Sequence, residues 1–118
     1  MATKPINKFT VQEATNLKVY ENYSSEQITC ATSYVEGTNW GSSGDGPAKE
    51  ILIVPYSTND ATDVISLKLK LHGASDYGDE IKLLYNDYPL TVDGILIDRI
   101  EMKSDEGTDE IFTIISFH

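Results

Sequence analysis

From residue 16 onward the chain alternates apolar and polar positions with a period of two. Asn16 to Tyr23 sets Leu17 and Val19 against Lys18 and Tyr20, and Gln27 to Val35 sets Ile28, Cys30 and Tyr34 against Thr29, Ala31 and Ser33. The cleanest alternation is Asp63 to His72, with Ile65, Leu67, Leu69 and Leu71 on one side and Ser66, Lys68, Lys70 and His72 on the other. This is the pattern of strands with one face packed and one face toward water. Glu50 to Tyr56 is instead almost continuously apolar, which predicts a central strand covered on both faces, with Pro55 ending the pairing on one side. Glu80 to Tyr85 and Leu90 to Val92 are shorter strand candidates. Asp93-Gly94 is a two-residue turn signal that predicts pairing of 90–92 with 95–97. The last quarter, Ile95 to Phe117, holds two runs rich in β-branched residues around an acidic turn containing Gly107, which predicts a closing β-hairpin.

Turn-forming residues separate these runs at 22–26, 37–47, 58–62, 73–79 and 86–89, and no helical period lasts beyond a turn or two. The expected fold class is all-β: a single antiparallel β-sandwich or jelly-roll-like barrel of seven to eight strands, of Greek-key type, over residues 16–118. Residues 1–15, with Pro5 and only Ile6, Phe9 and Val11 as large apolar positions, read as an extended N-terminal arm. Cys30 and Trp40 lack a second cysteine downstream, so the Cys-Trp-Cys core of immunoglobulin domains is missing.

Composition narrows the chemistry. With 118 residues the chain is one domain, large enough to bury a core. The single cysteine excludes an intrachain disulfide, and one cysteine with two histidines cannot complete a structural zinc site. Nineteen acidic against nine basic residues give a net charge of -10, a field that repels phosphate backbones and anionic membranes. Neither nucleic acid nor membrane is an expected partner. No apolar stretch approaches a membrane span, and Met1 to Asn16 holds no signal-peptide core, so the expectation is synthesis in the cytoplasm.

Catalytic constellations are weak. Asp98 and Arg99 interrupt the run ILIDRIEM and call for an ion pair or a bulge that turns them outward. Cys30 at an inward position reads as a small buried thiol, and His72 and His118 read as solvent-facing. Gly41-Ser-Ser-Gly44 precedes no helix, and Lys49 lies outside the spacing of a phosphate loop. No enzymatic activity is expected.

Binding signals are more numerous. Trp40 falls in the glycine-rich loop 37–47, where it either stacks on a ligand or folds back to plug one end of the domain. Tyr34, Tyr77 and Asp45 are the other candidate contact residues. Asp105, Glu106, Asp109 and Glu110 are dense enough in oxygen to suggest Ca²⁺, although their spacing matches no established cation loop. No other cofactor is implied. Asp76, Asp79 and Glu80, and Asn59, Asp60 and Asp63, form weaker clusters.

Two functions follow as expectations. The first is a structural or assembly protein, concretely a small virion component such as a phage capsid decoration or head-tail accessory protein. It would dock on a larger protein lattice, or on further copies of itself, through its arm and loops. The alternative is a carbohydrate- or ligand-binding β module using Trp40 and loop carboxylates, with or without Ca²⁺.

Overall fold

A computed structural model describes residues 20–56, 62–106 and 110–118. The strands are β1 (Tyr23–Thr29), β2 (Val35–Glu36), β3 (Ala48–Pro55), β4 (Val64–Leu71), β5 (Ile81–Leu84), β6 (Leu90–Ser104) and β7 (Ile111–Phe117), with short 3-10 turns at Trp40–Ser42 and Tyr85–Asp87. The fold is all-β. The strands form one open antiparallel sheet in the order β1-β7-β3-β6-β4-β5, with β2 beside β6. The arm expected over residues 1–15 lies outside the described residues.

The spine of the sheet is β6, fifteen residues long. Along one edge, Val35 and Glu36 of β2 face Met102 and Glu101, Ala48 faces Ile97, and Glu50 to Ile53 face Asp93 to Leu90. So β2 and β3 act as one interrupted strand, and the glycine-rich segment 37–47 loops out between them. On the other edge the second half of β6 carries β4, from Ile65 opposite Ser104 to Leu71 opposite Ile97.

Strand β3 is central, as its continuous apolar run predicts, with β7 on one side and β6 on the other. Pro55 still pairs with Phe112 of β7, whereas pairing to β6 stops at Ile53, which faces Leu90, the first residue of β6.

Three local predictions are corrected. The last two strands are not a hairpin: β3 lies between β6 and β7. A tight acidic connection brings two chain segments near each other without making them pair. Phe112 and Ile114 on one side of β7, with Ile111 and Ile115 on the other, also give that strand two apolar faces, so it takes an interior place between β1 and β3. Asp93-Gly94 does not reverse the chain either. Gly94 has φ +81 inside β6, where 94–96 stand against Lys49 alone, so the left-handed residue bulges the strand instead of turning it. Thirdly, the turn expected at 22–26 falls, from Tyr23 on, inside β1, which pairs residue for residue with β7 from Tyr23 opposite Phe117 to Thr29 opposite Ile111. Among the described strands β1 stands at the margin of the sheet with β7 beside it, and its polar sequence reflects that position.

The core gathers on the inner face. Ile28, Ile51, Ile53, Phe112 and Ile114 from one half of the sheet join Ile65, Leu67, Ile100 and Met102 from the other. Tyr85 and Tyr88 place their rings 5.7 and 4.9 Å from that of Phe112, and the Tyr88 hydroxyl donates to the Ile65 carbonyl at 3.3 Å. Fully burying each such side chain contributes roughly 1.5–3 kcal/mol.

Candidate functional site

The glycine-rich loop is held from several directions. Trp40 is 2% exposed, its ring edge set against the His118 imidazole at 6.0 Å. The indole therefore plugs the domain, and it is not on the surface as a stacking platform. Loop carboxylate Asp45 accepts a hydrogen bond from Asn22 at 2.8 Å and stays exposed. His118 is also buried, contrary to its solvent-facing expectation. Its Nδ1 meets the Gly46 carbonyl at 2.8 Å, its Nε2 meets Ser116 at 2.9 Å, and Ser116 reaches Ser24 at 2.8 Å. These contacts tie the loop to β7 and β1, a binding role that sequence spacing does not reveal.

Beside this loop, Asp98 is the extra residue of a bulge in β6, since Arg99 faces Lys70 and Ile97 faces Leu71. Its carboxylate meets His72 Nδ1 at 2.9 Å. Gly41 packs directly on that carboxylate, so closely that a Cβ there would lie 2.5 Å from it. Arg99 donates from Nε to the Gly37 carbonyl at 2.8 Å and lies 3.7 Å from Glu36. Both members of the interrupting Asp-Arg pair thus have partners, and both are structural contacts of the loop.

Tyr34 and Tyr77, unlike Trp40 and Asp45, come to one face, the outer side of β4 and the second half of β6. The Tyr34 hydroxyl donates to Glu80, and the Lys68 and Lys103 ammonium groups sit 4.8 and 5.3 Å from its ring centre. Tyr77 donates to Glu36 at 2.9 Å. Burial first, then the adjacent carboxylate, pushes both phenols upward. The hydrogen bond from Tyr34 in turn holds the Glu80 carboxyl below the usual range, whereas burial raises that of Glu101.

Five of the six basic residues among those described, Lys68, Lys70, Lys82, Arg99 and Lys103, belong to β4, β5 and this part of β6. These residues are scattered over three strands and form a group only in the folded sheet. Glu80 and Asp105 lie 3.5 and 3.6 Å from Lys103, and Glu101 faces Lys68 across the strands. The result is a lattice of ion pairs at the surface, where water and salt screen each pair.

Among the described residues the acidic tip does not assemble as a cluster. Asp105 turns to Lys103 and to Lys82, Glu106 accepts the Val64 N–H at 2.6 Å, and Glu110 is buried, while Asp109 and Gly107 lie outside the described residues. Among the described residues, no group of three or more His, Cys, Asp or Glu is placed to hold a metal ion, and no helix is long and apolar enough to cross a membrane.

What the sequence did not reveal is an apolar groove of about 330 Å³, lined by Leu69, Leu71, Gly78, Asp79, Ile81 and Ile95. It continues the inner face beyond the core. Along β4, Ile65 and Leu67 are fully buried, Leu69 is half-buried and Leu71 is 43% exposed, with Ile81 and Ile95 similarly open. Leu71 is thus a correction to the uniformly inward stripe: its register neighbour is the bulged end of β6, and the core layer stops short of it. The signal was present in the unbroken alternation of β4, but alternation reports a face and not how far that face is covered. Comparisons with protein-family models, with curated proteins and with solved structures gave no significant match.

Proposed function

We propose that this chain is a non-enzymatic assembly protein that docks on a larger protein lattice, most concretely as a virion accessory subunit of the capsid-decoration or head-tail kind. The observation that carries the reading is the groove between β4, β5 and the bulged part of β6. Three large aliphatic side chains, Leu71, Ile81 and Ile95, open there by 40–43% around one concavity. Contiguous exposed apolar surface in a concave setting is the usual mark of a protein contact, because it is costly to leave in water. The occupant is an apolar segment of the partner protein. The ion-pair lattice on the opposite face leaves that side well solvated and directs docking to the groove. The sandwich-like or jelly-roll closure expected from sequence belongs to this proposal too, with the bend of β6 folding the two halves of the sheet over their common core.

The test is co-sedimentation of the purified full chain with purified particles from its source, using wild type and the double variant Leu71→Lys/Ile95→Lys. Both positions are already exposed, so the fold is retained, and circular dichroism checks that it is. Binding of the wild type with at least tenfold weaker binding of the variant is expected. Equal binding by the two chains would sink the groove as the docking surface, and absence of wild-type binding would sink the assembly reading.

A further inference from the structure

The groove ends at an open strand edge. Among the described strands β5 pairs with β4 alone, in the register Leu83 opposite Ile65 and Ile81 opposite Leu67. The Tyr85 N–H donates to the Asp63 carbonyl at 2.7 Å and sets the phase of this ladder. Leu83 and Ile81 therefore turn their N–H and C=O groups toward β4, while Lys82 and Leu84 turn theirs away from it. The outward N–H of Leu84 donates to the Asp87 carboxylate at 3.0 Å, as this phase requires. Lys82 has no such cover. Among the described residues neither its N–H nor its C=O has a partner, and its ammonium lies 3.9 Å from Asp105 on the outer face. Edge strands are ordinarily guarded by charge, proline or a bulge. In β5 the one charged side chain stands on the outer face, so the side toward the groove is unguarded.

The side chains along this edge say what it accepts. Alternation puts Asp79, Ile81 and Leu83 on the concave side, where Asp79 and Ile81 line the groove with Leu69, Leu71 and Ile95. A strand added beside β5, about 4.8 Å from it, turns every second side chain into that apolar space while its backbone meets Lys82. Asp79 is the one charged residue of the lining, exposed and without a cation beside it among the described residues. In a chain of net charge -10 this carboxylate selects a basic occupant.

We propose that the groove is filled by strand addition: an extended segment of the partner protein, alternating apolar with polar residues and carrying a lysine or arginine for Asp79, pairs with β5 at Lys82. Its apolar side chains enter between Ile81 and Ile95. Main-chain pairing supplies affinity, and the alternating side chains supply specificity. This inference rests on the docking reading above and deepens it by naming the form and the charge of the segment that docks.

The probe is an octapeptide of alternating valine and lysine, titrated into the isotope-labelled full chain, with octalysine as the control for charge alone. Saturable binding of the alternating peptide is expected, with hydrogen exchange of the Lys82 amide slowed at least tenfold in the complex. Lys82→Pro removes that outward N–H and leaves the ladder to β4 intact, so it should weaken binding at least tenfold, whereas Lys82→Ala, which keeps the N–H, should bind like wild type. Asp79→Asn should weaken binding at least threefold. The exchange measurement is made on wild type and stays decisive even where the proline variant does not fold. An unprotected Lys82 amide in the complex, or a folded Lys82→Pro chain that binds like wild type while Leu71→Lys/Ile95→Lys binds weakly, overturns strand addition and leaves the groove as a docking surface. No binding of the alternating peptide, or equal binding of octalysine, overturns the proposal as well, and the co-sedimentation experiment decides the assembly reading independently. A dimer of the free chain with its Lys82 amide already protected also overturns it, since a second copy then occupies the edge.

Discussion

At the scale of single residues, the decisive contacts join the glycine-rich loop to the sheet. Gly41 is needed there for space: any side chain would enter the Asp98 carboxylate, which β6 presents through its bulge and His72 holds in place. Gly41→Ala is expected to cost about 1–3 kcal/mol, the usual range for overpacking. In an Asp98→Ala background the same substitution should cost far less, because the obstructing carboxylate is gone. Urea denaturation of the four chains of this cycle measures the coupling. Additive effects would show that the loop yields freely and that Gly41 is not held against β6. Trp40 illustrates the same constraint from the other side. Its loop position left open both a stacking surface and a plug, and the indole, buried beside an imidazole, is the plug.

At the scale of elements, existence and type were readable while partnership was not. The runs that became β3, β4, β5 and β7 were visible because β-branched density and period-two alternation are local properties. Which strand lies beside which is decided by burial of both faces. Hence the tight acidic connection after β6 did not make a hairpin, and β3 moved between β6 and β7. Of the candidate site, Tyr34 and Tyr77 were legible as residues but their common face was not, because β2 and the 73–79 loop meet only through the fold. The groove was illegible for the same reason, since exposure of Leu71 depends on where the core layer ends. This order of strands predicts a gradient of amide protection. Hydrogen exchange should be slowest in β3 and in β7, each bonded on both sides, and fastest in β5, which has β4 as its only neighbour among the described strands. Protection of Lys82 and Leu83 equal to that of Leu52 and Ile53 would contradict the order.

At the scale of the molecule, an acidic chain without a disulfide depends on its core, and that core carries titratable groups facing inward. Burial, with Glu110 adding to it, pushes the Cys30 thiol up to about 12, and burial likewise raises the Tyr88 phenol, next to Cys30 and Asp87. Both groups stay protonated in the folded chain at pH values where the unfolded chain ionises them, near 8.5 for cysteine and 10 for tyrosine. A raised folded pKa contributes stability that is fully present below the unfolded pKa and is lost as pH rises toward the folded one. Stability should therefore hold to about pH 8.5 and then fall, with each group contributing up to about 1.4 kcal/mol per pH unit. Tyr34 and Tyr77 act in the same direction, although water screens them. The check is the urea midpoint of wild type, Cys30→Val and Tyr88→Phe between pH 7 and 11. Cys30→Val should flatten the decline that begins near pH 8.5, and Tyr88→Phe the part above pH 10. Tyr88→Phe also starts from a lower midpoint at pH 7, because it removes the hydrogen bond to Ile65. A wild-type midpoint unchanged up to pH 11 would show that these groups are reached by water in the native state, and that the core around Phe112 is more open than its packing implies.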